Sequence, residues 1–217
     1  MQNTKKKPVV LAYKQASVSQ SFVFDPRHKS VKIAVLTFDD GPSIYTPRLL
    51  EILHKYDVRA TFFMLGTRIE QYPDIITQML KHKQELANHS YSHKNLTTLD
   101  GNELSYQFAK PQALLKDNHH YHATLFRPPY GAIDEETKKV VTSDFVLWNV
   151  DSSDWRLKKR DLIVKHVVDA LQPHSTILLH DIYEESVESI DTLIPQLQKL
   201  GYLFYTAGEY QDLMREQ

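Results

Sequence analysis

From Val31 to the carboxyl terminus, short apolar runs alternate with amphipathic segments about seven times. The run VKIAVLTF predicts a buried strand. The stretch from Pro47 to Tyr56, after a Gly-Pro turn, predicts a helix, because proline is favoured at the first helical position. Strands that alternate with helices are typical of a parallel sheet. The sequence therefore predicts an α/β fold, and the number of strands is compatible with a barrel-like closure.

The same pattern predicts the remaining elements of the fold. The further strands are ATFFML, QELAN, TLF, FVLWNV, STILL and YLFYT. The further helices are YPDIITQMLKHK, residues 102–116, DEETKKVV, RDLIVKHVVDALQ and SVESIDTLIPQLQKL. Residues 1–30 are polar and irregular, with VVLAY and SFVF as short candidate strands. We therefore expect an irregular amino-terminal segment, 1–30, followed by one domain, 31–217.

Composition excludes several classes of protein. Apolar residues make up 41% of the 217 residues, enough for a sizeable core, and the net charge of -1 argues against a nucleic-acid-binding protein. The chain has no cysteine, so any metal must be bound by His, Asp or Glu. No apolar run is long enough to span a membrane. The basic KKK is followed only by VVLAY, too short for the core of a signal peptide.

Polar residues of the types that carry chemistry follow the predicted strands. Because the carboxyl ends of parallel strands lie on one face, where α/β enzymes build their sites, these residues are expected to converge. They are Asp39 and Asp40 at the end of the first strand, His89 and His93 after QELAN, Arg127 after TLF, Asp151, Asp154 and Trp155 after FVLWN, and His180 and Asp181 after STILL.

The spacing of two histidines predicts a metal site. His89 and His93 are four residues apart, so both imidazoles can reach one ion from a helical turn or a compact loop. Two histidines and one carboxylate leave open positions on the metal, as in hydrolytic zinc sites and non-haem iron oxygenases. Asp39 and Asp40 supply one carboxylate more than this triad needs. We expect one of them to bind the metal and the other to act as a general base.

The other strand-end residues predict two supporting pairs. Arg127 could pair with the base carboxylate and keep it ionised, and Asp154 could keep His180 protonated as a general acid. Trp155 either packs or forms the wall of a sugar or acyl pocket. A second group of histidines, in NHHYH, precedes a strand, so we expect it on the opposite face in a solvated loop. Its members are His119, His120 and His122.

Five segments in this order, TFDDGP, HSYSH, RPPYG, DSSDW and LLHD, resemble the five motifs of the polysaccharide deacetylase family, the NodB-homology or carbohydrate esterase 4 group. The resemblance runs from about Val31 to GYLFYTAGEY and covers most of the chain. It implies a distorted, incomplete (β/α) barrel of about seven parallel strands, with the catalytic domain at 31–217. The segment HKQELANH lacks the glycines that many relatives carry before the histidines, which predicts a different turn there.

The resemblance also implies a role for each motif residue. The implied ligands of one divalent metal ion, zinc in the first place with cobalt or nickel as alternatives, are Asp40, His89 and His93. The implied catalytic residues are Asp39 as base, Arg127 holding it, His180 as acid and Asp154 tuning it. The implied substrate-binding residues are Tyr130, whose N–H would help bind the oxyanion, and Trp155 and Leu178, which would line the pocket for the acetyl methyl.

The implied function is a metal-dependent hydrolase that removes N-acetyl groups from N-acetylglucosamine residues of a polysaccharide, with peptidoglycan as the favoured substrate. The alternatives are a chitooligosaccharide deacetylase and an acetylxylan esterase. An iron-dependent oxygenase is disfavoured because the chain lacks a His-x-Asp spacing. A non-enzymatic carbohydrate-binding protein is disfavoured because Asp39 and His180 are both present.

The resemblance further implies where the protein acts and with what partners. We expect a monomer that binds a polysaccharide or oligosaccharide, with no nucleic-acid partner. The family implies a location outside the cell or at the cell wall. No signal peptide is visible in the sequence, which leaves the cytoplasm as an alternative location.

Overall fold

The computed structural model describes residues 31–215, so the candidate strands VVLAY and SFVF lie outside the described residues. The strands are β1 (Lys32–Asp39), β2 (Thr61–Met64), β3 (Glu85–Asn88), β4 (Leu125–Phe126), β5 (Asp144–Phe145), β6 (Val150–Asp151), β7 (His174–His180) and β8 (Tyr202–Phe204). The helices are α1 (Thr46–Lys55), α2 (Gly66–Gln71), α3 (Pro73–Lys81), α4 (Gly101–His119), α5 (Glu135–Val140), α6 (Asp154–Leu157), α7 (Arg160–Ala170), α8 (Glu184–Lys199) and α9 (Ala207–Arg215). Short 3₁₀ turns occur at Leu96–Thr98 and Pro129–Gly131.

The strands form one parallel sheet in the order β5-β4-β3-β2-β1-β7-β6, with β8 paired to β1. The long β1 lies at the centre. Asp39, its last residue, is the register partner of Phe63 on β2 and of His180 on β7. This topology confirms the predicted incomplete (β/α) barrel.

The predicted strand FVLWNV is wrong as a single element. Its first residue, Phe145, ends β5 at one edge of the sheet, and its last, Val150, begins β6 at the other edge. A flat sheet of this order would place its edges about 29 Å apart, at about 4.8 Å per strand. The chain from Phe145 to Val150 spans at most about 18 Å. The sheet must therefore curl, and residues 146–149 bridge the gap between its edges.

Alternating side chains of β1 separate two apolar clusters. Ala34, Leu36 and Phe38 belong to a cluster shared with the surrounding helices α1, α3, α7 and α8. Ile33 and Val35 point to the inside of the curled sheet, where they meet Phe63, Ala87, Leu125, Val146 and Ala207. Asp39 continues this inward series at the carboxyl end of β1, and for this reason its carboxylate is buried.

Helix boundaries agree closely with the sequence pattern where the apolar period is clear. The helix α1 is offset by one residue from its prediction, and α4 extends from Gly101 to His119, three residues beyond its predicted end. The side chain of Asp100 accepts from the N–H groups of Asn102 and Glu103 and so caps α4. The short helices α2 and α6 and the final helix α9 were not predicted. Over residues 31–215, we find no helix with the length and apolar character that a membrane span requires.

Candidate active site

The turn after β1 brings two adjacent carboxylates to one imidazole. Neighbouring side chains of a strand point to opposite faces. Asp40, however, has a left-handed backbone, with φ 70, so its side chain turns back toward the site. The Nε2 atom of His89 lies 3.7 Å from Oδ2 of Asp39 and 3.6 Å from Oδ1 of Asp40. A strand end with this turn therefore places both carboxylates beside the same nitrogen.

The ligand atoms of Asp40, His89 and His93 lie within 4.8 Å of one another. Oδ1 of Asp40 is 3.4 Å from Nε2 of His93. The other nitrogen of His89, Nδ1, is 2.6 Å from the carbonyl oxygen of Arg127, a contact that assigns its proton to Nδ1 and leaves Nε2 with a free lone pair. Burial lowers the pKa of His89 to about 3, so this imidazole is neutral, as a metal ligand must be.

These three residues fit a divalent metal ion. Oδ1 of Asp40 is buried and has no hydrogen-bond partner among the described residues, a costly state that a cation would relieve. Imidazole nitrogens with one carboxylate suit Zn²⁺ and related transition metals. Within residues 31–215, no other group of three or more His, Cys, Asp or Glu side chains converges in this way.

Arg127 holds Asp39 inside the barrel. Its side chain is fully buried, and Nη1 donates to Oδ1 of Asp39 at 2.7 Å and to Oγ1 of Thr37 at 2.8 Å. Nε and Nη2 donate to the carbonyl oxygens of Val146 and Leu147. Burial raises the pKa of Asp39, and the positive charge of Arg127 opposes that rise. One oxygen of Asp39 is thus fixed, while Oδ2 faces the metal-ligand cluster.

Asp154 holds His180 by hydrogen bonds to its imidazole and to its backbone N–H. Oδ1 of Asp154 lies 2.7 Å from Nδ1 of His180, and Oδ2 accepts from the His180 N–H and from Oγ of Ser186. Burial of the imidazole opposes its charge, but the hydrogen bond and the charge of Asp154 outweigh it and raise the pKa of His180 to about 9. His180 is therefore protonated at neutral pH, with Nδ1 engaged and Nε2 available as a donor.

The three residues expected to bind substrate lie near the metal-ligand cluster and His180. Tyr130 has a left-handed backbone, with φ 61, and its exposed ring lies 4.7 Å from the ring of His93. Trp155 is half-exposed next to Asp154, and its backbone N–H donates to Oδ1 of that carboxylate. Leu178 is buried on β7, two residues before His180 and therefore on the same face of the strand.

Two hydroxyl groups that support the site were missed in the sequence. Thr37 receives a hydrogen bond from Arg127, and Ser186 donates one to Asp154. Thr37 could have been found, because it is a polar residue on the inward face of an apolar strand, two positions before Asp39. Ser186 lies in the first part of α8, and no spacing in the sequence indicates its contact. Asp151 accepts from the Ser153 N–H at 2.7 Å and so shapes the turn before Asp154.

The histidines of NHHYH lie at the other end of the barrel. His119 ends α4, and His120 and His122 lie in the loop before β4. The latter two line an open cavity of about 980 Å³ together with Thr124, which precedes β4, and Asp144, which begins β5. These neighbours mark the amino ends of the strands, whereas the cluster around His89 lies at their carboxyl ends.

The fold and the site together are typical of α/β-barrel metalloenzymes. Residues 27–144 match the family model described as polysaccharide deacetylase. This match covers more than half of the chain, and the chain therefore belongs to the polysaccharide deacetylase family.

Similar proteins support this placement. The chain is 37% identical over 201 residues to the peptidoglycan-N-acetylmuramic acid deacetylase PdaC of Bacillus subtilis (strain 168), covering 92% of this chain and 42% of PdaC. It is 35% identical over 194 residues to a peptidoglycan-N-acetylglucosamine deacetylase of Bacillus cereus, covering 86% of this chain and 70% of that relative. The solved structure of PdaC superposes with a TM-score of 0.82 at 38% identity, over 87% of this chain and 94% of that chain.

A further similar structure shows that this fold does not by itself establish activity. A protein of Bacillus anthracis described as a CE4 family pseudoenzyme superposes with a TM-score of 0.79 at 30% identity, over 84% of this chain and 66% of that chain. This chain also spans only about two fifths of the length of PdaC. Catalytic activity therefore depends on the site residues and not on the fold alone.

Proposed function

We propose that this chain is a divalent-metal-dependent N-deacetylase that removes acetyl groups from the amino sugars of peptidoglycan. One observation carries the proposal. Asp39, held by Arg127, and His180, held by Asp154, are register partners on β1 and β7 beside the cluster of Asp40, His89 and His93. Amide hydrolysis needs a base and an acid. Here a carboxylate paired with an arginine and an imidazole paired with a carboxylate both lie beside a metal-ligand cluster.

Asp40, His89 and His93 would hold the metal, and we propose zinc, with cobalt or nickel as working substitutes. The neutral imidazole of His89 and the unpartnered oxygen of Asp40 support this assignment. A bound ion of this kind supplies Lewis-acid chemistry, lowering the pKa of water and polarising a carbonyl oxygen.

Asp39 would act as the general base. Because Arg127 fixes Oδ1, the free Oδ2 is the oxygen that accepts the proton of the attacking water. The water oxygen then forms a bond to the carbonyl carbon of the acetamide. The N–H of Tyr130 would donate to the oxygen that becomes negative, and a preorganised donor of this kind contributes about 3–4 kcal/mol.

His180 would act as the general acid. Its Nδ1 is engaged by Asp154, so Nε2 donates the proton to the leaving nitrogen as the C–N bond breaks. The products are acetate and a free amine on the sugar. Trp155 and Leu178, on the His180 side of the site, would contact the acetyl methyl.

The proposed substrate and location follow from the relatives. Similar proteins are named as deacetylases of N-acetylglucosamine or N-acetylmuramic acid in peptidoglycan, so we propose action at the cell wall. Every residue assigned above lies between Asp39 and His180 of one chain, which supports a catalytic domain at 31–217 that works as a monomer.

Release of acetate tests the proposal. The chain is stripped of metal with a chelator, reloaded with Zn²⁺, Co²⁺ or Ni²⁺, and incubated with peptidoglycan, chitin oligomers or acetylated xylan. We expect acetate from peptidoglycan only after reloading. Faster release from chitin oligomers or acetylated xylan would show that peptidoglycan is not the preferred substrate. If none of the three polymers releases acetate with any of the three metals, the proposed activity is refuted.

A further inference from the structure

Asp181 is a buried carboxylate to which the proposed chemistry gives no role. It follows His180 directly, and its side chain is fully buried. Oδ2 accepts a hydrogen bond from Oγ1 of Thr46 at 2.5 Å, and Oδ1 has no hydrogen-bond partner among the described residues. A buried carboxylate with so few hydrogen-bond partners carries a cost in desolvation free energy.

Asp181 contacts the loop between β1 and α1 at Gly41, and it contacts Thr46, the first residue of α1, where that loop ends. Its carboxylate lies against Gly41 so closely that a Cβ on Gly41 would be 2.1 Å from Oδ1. Its backbone carbonyl accepts from Oγ of Ser43 at 2.5 Å, and its Oδ2 accepts from Thr46. No side chain larger than hydrogen fits at Gly41 unless Asp181 moves.

Thr46 transmits this contact to the rest of the loop. Its Oγ1 accepts from the N–H of Ser43 at 2.7 Å while it donates to Asp181, and its own N–H donates to the carbonyl oxygen of Ser43. The loop begins directly after Asp40, whose left-handed backbone aims Oδ1 at His93, 3.4 Å away. A shift of Gly41 would therefore rotate the Asp40 carboxylate away from the two imidazoles.

We infer that Asp181 is a positioning residue that fixes the loop after Asp40 and so holds the Asp40 carboxylate in the geometry of a metal ligand. The inference rests on the proposed function, in which Asp40 binds the metal. Asp181 acts through Gly41 and Thr46 and does not touch substrate. It also ties the end of β7, which carries His180, to the end of β1, which carries Asp39.

Cobalt binding tests the inference without substrate. The protein is titrated with Co²⁺, and the visible absorption bands of the ion report both the affinity and the ligand geometry. We expect Asp181→Ala and Thr46→Val to weaken Co²⁺ binding by about 10- to 100-fold, the usual cost of losing an outer partner of a metal site, and to change the band pattern. Thr46→Ser, which keeps the hydroxyl, should restore both.

A matched control separates positioning from general packing. Thr61 is also a buried threonine whose Oγ1 donates to a carboxylate, that of Glu85 at 2.6 Å, but it lies at the amino end of β2. Thr61→Val should leave Co²⁺ affinity and spectrum unchanged. If Asp181→Ala does not fold, Thr46→Val decides the question.

The possible results distinguish this inference from the proposed function. Wild-type affinity and spectrum in Thr46→Val would overturn the positioning role, and so would equal losses in Thr46→Val and Thr61→Val. If Thr46→Val selectively loses Co²⁺ binding but the metal-loaded wild-type protein releases no acetate, the positioning role would be supported and deacetylation refuted.

Discussion

Arg127 shows how a charged side chain is accommodated at the centre of the barrel. A buried charge without partners costs several kcal/mol. Arg127 donates to Asp39, Thr37 and the carbonyl oxygens of Val146 and Leu147, and its guanidinium lies 4.1 Å over the ring of Phe63. The same side chain therefore holds the proposed base and binds residues 146–149, the segment that bridges the two edges of the sheet.

We expect Arg127→Met to reduce the free energy of unfolding by about 3–5 kcal/mol, because it leaves the buried carboxylate of Asp39 without its counter-charge. Urea unfolding followed by circular dichroism measures the loss. Arg48→Met is the control, since Arg48 forms an exposed ion pair with Glu188 and should change stability little. Equal stability of the two variants would contradict the structural role of Arg127.

The pH dependence of kcat/KM tests whether Asp154 raises the pKa of His180. The acid must be protonated, and because the pKa of His180 is raised to about 9, kcat/KM should fall only as pH rises through about 9. Asp154→Asn removes the negative charge, so the pKa of His180 should fall and the basic limb should move to lower pH. An unchanged basic limb in that variant would mean that another group is the acid.

At the scale of elements, periodicity predicted most helices and strands but failed where the chain crosses the barrel. FVLWNV is apolar except for Asn149, and such a run does not reveal where one strand ends and the next begins. Its division between two edges of the sheet follows from the pairing of Phe145 with Phe126 and of Val150 with Ile177. These are long-range contacts that no local pattern encodes.

The missed helix α9 did have a local signal. Thr206 and Glu209 form a reciprocal capping box, in which each side chain accepts from the backbone N–H of the other. The spacing Thr-x-x-Glu is a known indicator of a helix start. Ala207, at the start of α9, belongs to the apolar cluster inside the curled sheet. The helix thus covers the inner cluster, at the side of the barrel away from the proposed site.

The candidate site was more predictable than the fold around it, because strand ends in a parallel sheet share one face. The expected contacts of Arg127 with Asp39 and of Asp154 with His180 are both present at 2.7 Å. Their catalytic roles remain proposals. The contacts of Asp181 with Gly41 and Thr46 could not be foreseen, since they depend on the shape of a loop and on a close backbone approach.

At the scale of the molecule, the two ends of the barrel differ in chemistry. We expect simultaneous replacement of His119, His120 and His122 by alanine to leave turnover within about tenfold of wild type, a change of about 1.4 kcal/mol in the barrier. These residues lie before β4, at the end opposite the metal-ligand cluster. Acetate release at saturating peptidoglycan measures turnover. A larger loss would place them in the catalytic machinery.

In the proposed mechanism Asp39 and Asp40, although adjacent and chemically identical, have different roles. The most direct test measures bound zinc and acetate release together in Asp39→Asn, with Asp40→Asn as the matched variant. We predict that Asp39→Asn keeps its zinc but loses about 10²–10⁴-fold in turnover, the usual cost of removing a general base. Asp40→Asn should lose zinc and activity together. Near wild-type turnover in zinc-loaded Asp39→Asn would contradict the role of Asp39 as base, because its carboxylate would then be structural and another group would be the base.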